Sequence, residues 1–364
     1  MKIRVGSSAG IKEIAKALGI SIGTVDRALH SRPGVSPQTC AKVLKMAEAL
    51  NYKPNVAARN LKLNRHLKIA VHLPVQIESF FDPVRAGVRA AADAAPGTTI
   101  DLDFRSYPRV GEGDLELLEA DVSGHYDGII LMPGNTPRIN PVLHRFVEQG
   151  TAVVCVASDA PRSQKLTSIC ADASVSGGIA AELLSRCIQS EGSVAAMMGD
   201  LKLLDHAEKL RGFAASLATF APNLTLLPVI ESHELPEDAY NATLDLLKRK
   251  PLPLGIYIGT ANSLPVLEAL EEHKVLDQIR VVTTDLFPEL AVMIESGRVL
   301  ATLFQRPFTQ GKLALETLVR YLIDGVQPAS YTRLAPYIVL RSNLGLFLNQ
   351  LSDSFESEGS TSQK

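Results

Sequence analysis

The sequence predicts an α/β protein in two parts: a small all-α head with a helix-turn-helix, and a two-lobed, doubly wound, parallel-sheet body. Three observations lead there. Residues 1–66 hold 12 Lys and Arg against 3 Asp and Glu, while the rest hold 25 against 36, so a basic head precedes an acidic body. The apolar residues of the head recur at helical spacing in short segments. The body repeats short apolar runs, each followed by a helical pattern. With 364 residues, at roughly 150 per domain, two or three domains are expected. A hydrophobic share of 46% and a charged share of 21% exclude a disordered or fibrous chain. No apolar run approaches the ~20 residues that span a bilayer. Met1 to Ser8 has no apolar h-region, so no signal peptide is expected. Cys40, Cys155, Cys170 and Cys187 are widely spaced and fit buried thiols in a reducing compartment, with no zinc spacing.

In the head, Ile11, Ile14, Ala15 and Leu18 mark one helix, and Gly19 ends it. Ser21 is a good cap for a second helix, Ile22 to Leu29, with Val25, Ala28 and Leu29 facing inward. Two short helices joined through Leu18 to Ser21 read as a helix-turn-helix. Ser36 and Pro37 start a third helix, lined by Val43, Met46, Ala47 and Leu50. Three helices in so few residues make a DNA-reading module and a poor frame for an enzyme site. The second helix would enter the major groove. Ser21, Ile22, Gly23, Thr24, Asp26 and Arg27, with Thr39 on the third helix, are the candidate DNA contacts. A guanidinium such as Arg27 can pair bidentately with guanine. The alternative is a solvated helix face. Pro54 stops the third helix, and Asn55 can cap a short hinge helix to about Leu61. Such a helix is too short to stand alone. Two of them, one per subunit, can pack over the minor groove, with Asn55, Ala58 and Leu61 toward DNA and Leu61 wedging a base step. The alternative is an ordinary linker with a buried leucine.

Residues 11 to 61 resemble the lactose-repressor (LacI/GalR) family of bacterial transcription regulators. The motifs T-V-x-R-x-L (residues 24–29), G-V-S-x-x-T (34–39) and Y-x-P-N-x-x-A-R-x-L (52–61) fall in order. Many members have Ser where this chain has Asp26, which bears on operator preference. The resemblance implies a periplasmic-binding-protein-like (type I) body and a homodimer on a pseudo-palindromic operator. It also implies a small-molecule effector, usually a sugar, and a bacterial cytoplasmic, nucleoid-associated setting. It implies no cofactor and no membrane partner. Its domain plan is a head at 1–54, a hinge at 55–66, a body at 67–348 and a polar tail at 349–364. The chain is expected to cross between lobes three times. One lobe would hold about 67–165 and 307–331, the other 166–306 and 332–348.

The body's runs are Leu67–Leu73, Ile129–Met132, Ala152–Val156, Val194–Met198, Gly255–Ile258 and Val281–Thr284. An amphipathic stretch around 84–94 joins the first two. Ligands of such folds bind past the carboxyl ends of strands. The residues found there are Phe80 and Phe81, with Asp82 and Arg85 nearby, then Asn135, Asp159, Arg162, Asp205, His206, Asn262, Asp285 and Gln305. By the resemblance, Phe80, Phe81, Asn262, Asp285 and Gln305 match sugar-binding positions; Asn135, Arg162 and His206 complete the expected effector site. Relatives often carry an arginine before Gly212-Phe213. Ala207 stands in that slot here, with His206 or Lys209 as substitutes. The two phenylalanines also fit a core, and Asp285 a helix cap. No P-loop, G-x-S-x-G elbow or HExxH occurs, and Gly111-Glu112-Gly113 lacks the last glycine of a dinucleotide loop, so no catalysis is expected. The rival classes are a solute-binding protein or a sugar-active enzyme on the same body.

Overall fold

The computed structural model describes residues 11–29, 34–50 and 65–348. The expected hinge helix, with Asn55, Ala58 and Leu61, and the polar tail at 349–364 lie outside them. The described residues separate into two compact units divided after residue 66, with 96–99 grouped with the first.

The first unit holds α1 (Ile11–Leu18), α2 (Ile22–Leu29) and α3 (Pro37–Ala49). Ile14, Ala15, Val25, Ala28, Val43 and Ala47 are buried together as its core. These are the inward positions that helical spacing selects. Gly19, at φ +63°, ends α1 as a left-handed C′ glycine does. Ser21 Oγ accepts from the Thr24 N–H at 3.1 Å, and Ser36 Oγ from the Thr39 N–H at 3.2 Å, so each serine caps its helix.

The second unit has two sheets. One contains β1 (Arg65–Pro74), β2 (Thr98–Tyr107), β3 (Gly128–Leu131), β4 (Ala152–Val156), β5 (Thr167–Ala171) and β12 (Tyr331–Leu334), in the order β12-β5-β4-β3-β1-β2. The other contains β6 (Gly192–Met198), β7 (Leu224–Leu226), β8 (Ile230–Glu231), β9 (Gly255–Ile258), β10 (Arg280–Thr284), β11 (Ala301–Phe304) and β13 (Tyr337–Val339). Its order is β13-β11-β10-β9-β6-β7, with β8 also on β6. β3, β4 and β9 are buried at every residue, as strands covered on both faces must be. Separate apolar clusters cover the two faces of each sheet.

Two expectations are corrected. The first two apolar runs are joined not only by a helix (Glu78–Asp93) but also by β2 and a second helix (Asp114–Asp121). β2 escaped because it alternates instead of forming an apolar run. The lobe crossings fall at 172 and at 335–336, not at 166 and 332. β5 and β12 pair with each other in parallel, Tyr331 opposite Ser168 to Leu334 opposite Ala171, so both belong to the first lobe.

Candidate functional site

In the head, α2 exposes most of the expected contact residues. Ser21, Ile22, Gly23 and Arg27 are exposed, while Val25 and Ala28 face the core. Ile22 is 51% exposed. Arg27 Nε donates to the Gly23 carbonyl at 3.1 Å, which lays the guanidinium along the outer face. The Thr24 and Thr39 hydroxyls each sit 2.8 Å from a capping serine, Ser21 and Ser36 respectively, so capping occupies both. The side chain of Asp26 lies outside the described residues.

In the body, the carboxyl ends of strands from both lobes converge on one narrow cavity, with room of about 50 Å³ for water-sized groups. The first lobe contributes Ile77, Phe80, Phe81, Val110, Met132 and Ala157. Phe80 and Phe81 meet edge to face at 5.0 Å. The second lobe contributes Asp205, His206, Lys209, Glu234 and Asp285, with Gln305 at the crossing. Apolar surface faces charged surface across the gap, which suits a ligand with one C–H face and many hydroxyls.

The charged wall is tightly wired. Asp200 N–H donates to His206 Nδ1 at 3.0 Å, which leaves Nε2 to carry the ring hydrogen. That nitrogen lies 3.2 Å from Glu234 Oε1 and 3.6 Å from Asp205 Oδ2. Thr260 Oγ1 donates to Glu234 Oε2 at 2.9 Å, and Asn262 Nδ2 reaches the same oxygen at 3.4 Å. Lys209 Nζ holds Asp205 Oδ2 and the Gly259 carbonyl, each at 3.3 Å. Gln305 Nε2 donates to Asp285 Oδ1 at 2.8 Å. A Cβ at Gly199 would overlap both Glu234 Oε1 and His206 Cε1, so the absence of a side chain there makes room for this pair.

Burial pushes Asp285 up from 3.8 to about 6, against the pull of Lys209 and the hydrogen bond from Gln305. Burial alone would lower Lys209, but Asp205, Tyr257 and Asp285 together outweigh it and the net shift is upward. Burial would raise Asp205, yet His206 and Lys209 hold it below the usual range. The backbone is strained at the same place. Ile77, Ala157, Glu234 and Asp285 all have positive φ, between 56° and 71°. Such conformations cost on the order of 1–3 kcal/mol each and gather at ligand sites.

Of the residues named from the sequence, Phe80, Phe81, His206, Asp285 and Gln305 line this cavity. Asn262 stands behind the wall, bracing Glu234. Asn135 lines an outer, polar compartment with Gln76, Arg109, Arg138, Lys202 and His233, which shares Val110, Leu203 and Glu234 with the inner one. Arg162 is a correction. It is exposed and lines neither compartment. After β4 the chain turns sharply, with Ala157 and Arg162 both at φ 65° and Ser158 N–H on the Val156 carbonyl at 2.7 Å, and this carries residue 162 outward. Of the nearby candidates, Asp159 pairs with Lys165 at 2.9 Å, and Asp82 with Arg85 at 2.7 Å. Asp205 and Lys209 are central. Glu234 was missed, because it follows a two-residue strand that has no apolar run. Among the described residues, no group of His, Cys, Asp or Glu is arranged to hold a metal ion, and no helix is long and apolar enough to cross a membrane.

Residues 69–325 match the family model for the periplasmic binding protein domain, and residues 10–55 that for bacterial regulatory proteins of the lacI family. The chain is 23% identical to catabolite control protein A of Priestia megaterium over 340 residues, covering 92% of this chain and 98% of that one. It is also 23% identical to the HTH-type transcriptional repressor PurR of Vibrio parahaemolyticus, covering 92% and 98%. Among solved structures, a glucose-galactose binding protein from Geobacillus stearothermophilus superposes with a TM-score of 0.70 at 21% identity, covering 76% of this chain and 99% of that one.

Proposed function

The chain belongs to the periplasmic binding protein domain family and bears a head of the lacI family, and from that premise we propose a transcriptional repressor whose operator affinity is set by a sugar-like polyol bound between the lobes. One pairing carries this reading: an exposed reading helix in a basic head, and a cavity in the body where buried charged groups from one lobe face aromatic rings from the other. A free solute-binding protein or a sugar-active enzyme would leave the basic head without a role.

α2 reads base edges in the major groove through Ile22, Gly23 and Arg27, with Ser21, Thr24 and Thr39 holding the helix starts against phosphates. Asp26, Asn55, Ala58 and Leu61 add contacts as the family pattern implies. Two subunits read a two-fold operator, with half-sites about one helical turn apart. The working compartment is the bacterial cytoplasm, at the nucleoid. In the cavity, the ligand's C–H face lies on Phe80 and Phe81. Its hydroxyls donate to Asp205 and Asp285.

The test begins by selecting an operator from random DNA with the full chain, then screening polyols for those that change its affinity. Asp285→Ala is expected to bind the selected operator as wild type does and to ignore the polyol. A variant that responds at the same polyol concentration removes Asp285 from the site. A chain that selects no sequence overturns the regulator itself.

A further inference from the structure

The polar atoms of the inner cavity can be accounted for one by one, and those left for a ligand are mostly acceptors. Glu234 has both oxygens engaged, Oε1 by His206 at 3.2 Å and Oε2 by Thr260 at 2.9 Å. Lys209 spends two of its three N–H groups on Asp205 and on the Gly259 carbonyl. Asp205 Oδ1 is buried and has no partner. Asp285 gives one oxygen to Gln305 and turns the rest of its carboxylate to the cavity it lines. A single lysine thus stands among three carboxylates, Asp205, Glu234 and Asp285.

Helix N-termini crowd the carboxyl ends of parallel strands, and their dipoles would ordinarily welcome an anion. Here that place is taken. Asp205 lies in the first turn of the helix Leu204–Phe220 and meets its N-terminal field itself. Asp285 directly follows β10, ahead of the helix Pro288–Glu295. The outer compartment does carry cations. Arg109, however, is held by Glu112 at 3.0 Å, and Arg138 and Lys202 are exposed, where salt and water screen them.

We propose that the effector is a polyol with no anionic group, neutral or amine-bearing, and that Asp205 and Asp285 reject sugar acids and sugar phosphates. This rests on the cavity being the effector site. A hydroxyl or ammonium donor satisfies the orphaned Asp205 oxygen and the Asp285 carboxylate together. A carboxylate or phosphate in the same place would face both with one remaining lysine N–H and the second amide N–H of Gln305 to receive it, one positive charge among three carboxylates, and an uncompensated buried charge is strongly disfavoured.

The probes are D-glucose, D-galactose and myo-inositol as neutral forms, and D-glucosamine and D-galactosamine as amines. D-glucuronate, D-galacturonate and D-glucose 6-phosphate serve as anions. Each is titrated calorimetrically into the full chain near neutral pH. At least one neutral or amino probe is expected to bind, with its acid or phosphate weaker by about tenfold or more, or about 1.4 kcal/mol. In the Asp205→Asn, Asp285→Asn double variant, with folding checked by its melting transition, that gap is expected to close. An acid or phosphate that binds wild type as tightly as its parent overturns the charge selection and leaves the site standing. If no probe of any class binds, or if probes bind Asp285→Ala unchanged, the cavity is not the effector site.

Discussion

At the scale of single residues, Asp285 joins stability to binding. Its carboxyl is pushed from 3.8 to about 6, first by burial, with Glu234 and Asp205 adding to the shift and Lys209 and Gln305 opposing it. Between those values the folded chain holds a proton that the unfolded chain releases. The contribution of Asp285 to stability therefore falls as pH rises from about 4 to about 6, by on the order of 2–3 kcal/mol, and stays lower above that window. Asp285→Asn carries no such cost. It should melt at the same temperature as wild type near pH 4 and at a higher one near pH 7, while losing effector affinity. A difference between the two melting temperatures that does not grow across the window would remove the buried carboxylate as the cause. Effector affinity should change in the opposite sense. Hydroxyl donors favour the ionised carboxylate, so binding weakens as pH falls below about 6.

The same scale shows what could be read in advance. Phe80, Phe81, His206, Asp285 and Gln305 were visible because each follows a strand or a crossing that hydrophobic pattern can locate. Lys209 was visible only as a substitute for an absent arginine. Its role depends on burial beside Asp205, which no local pattern encodes. Glu234 follows the shortest strand of the body, and Arg162 was misplaced by two left-handed residues in a turn whose chemistry is not glycine's.

At the scale of elements, strands that form unbroken apolar runs are legible, while the shortest strands, and β5, buried at every residue but polar at Thr167 and Ser168, are not. β3, β4 and β9 are continuous apolar runs. β7, β8, β11, β12 and β13 hold two to four residues each, and their pairing is set by neighbours distant in sequence. The helices pack more closely than their patterns indicate. A Cβ on Gly177 would overlap the Lys209 carbonyl oxygen, and one on Gly212 the Ser174 carbonyl oxygen, so the helices Ala173–Cys187 and Leu204–Phe220 meet backbone to backbone. The second of these helices carries Asp205, His206 and Lys209. Gly212→Ala must push it away from its partner, at a cost of about 1–3 kcal/mol by analogy with overpacked cores. It should also misplace the charged wall. The expected result is a lower melting temperature together with weaker effector binding. A variant that loses stability and keeps full affinity would show that the wall is positioned by β6 and its loop instead.

At the scale of the whole body, two glutamines fasten the lobes, and they have different parts to play. Gln310 is fully buried. Its Nε2 donates to the Gln305 carbonyl at 2.8 Å, and its Oε1 accepts from the Ala157 N–H at 3.0 Å. It sits beside a crossing, where a hinge moves least, so its bonds can survive opening. Gln76 stands in the outer compartment, away from the crossings. Its Nε2 donates to the Glu234 carbonyl across the gap at 2.6 Å, while its Oε1 accepts from Val110 N–H at 3.4 Å. Separating the lobes must break the first of these bonds, and water can replace it. One such bond contributes a net of about 0.5–1.5 kcal/mol. If the effector binds the closed body, apparent affinity scales with the closed fraction. Gln76→Ala should then raise the effector's dissociation constant by roughly twofold to tenfold, with a near-normal melting temperature, because the bond it deletes is half-exposed. Small-angle scattering of the ligand-free variant should show a larger radius of gyration, restored by saturating effector. Unchanged affinity and an unchanged radius would mean that closure does not depend on this bond and is held at the crossing, where Gln310 joins the Gln305 carbonyl to Ala157.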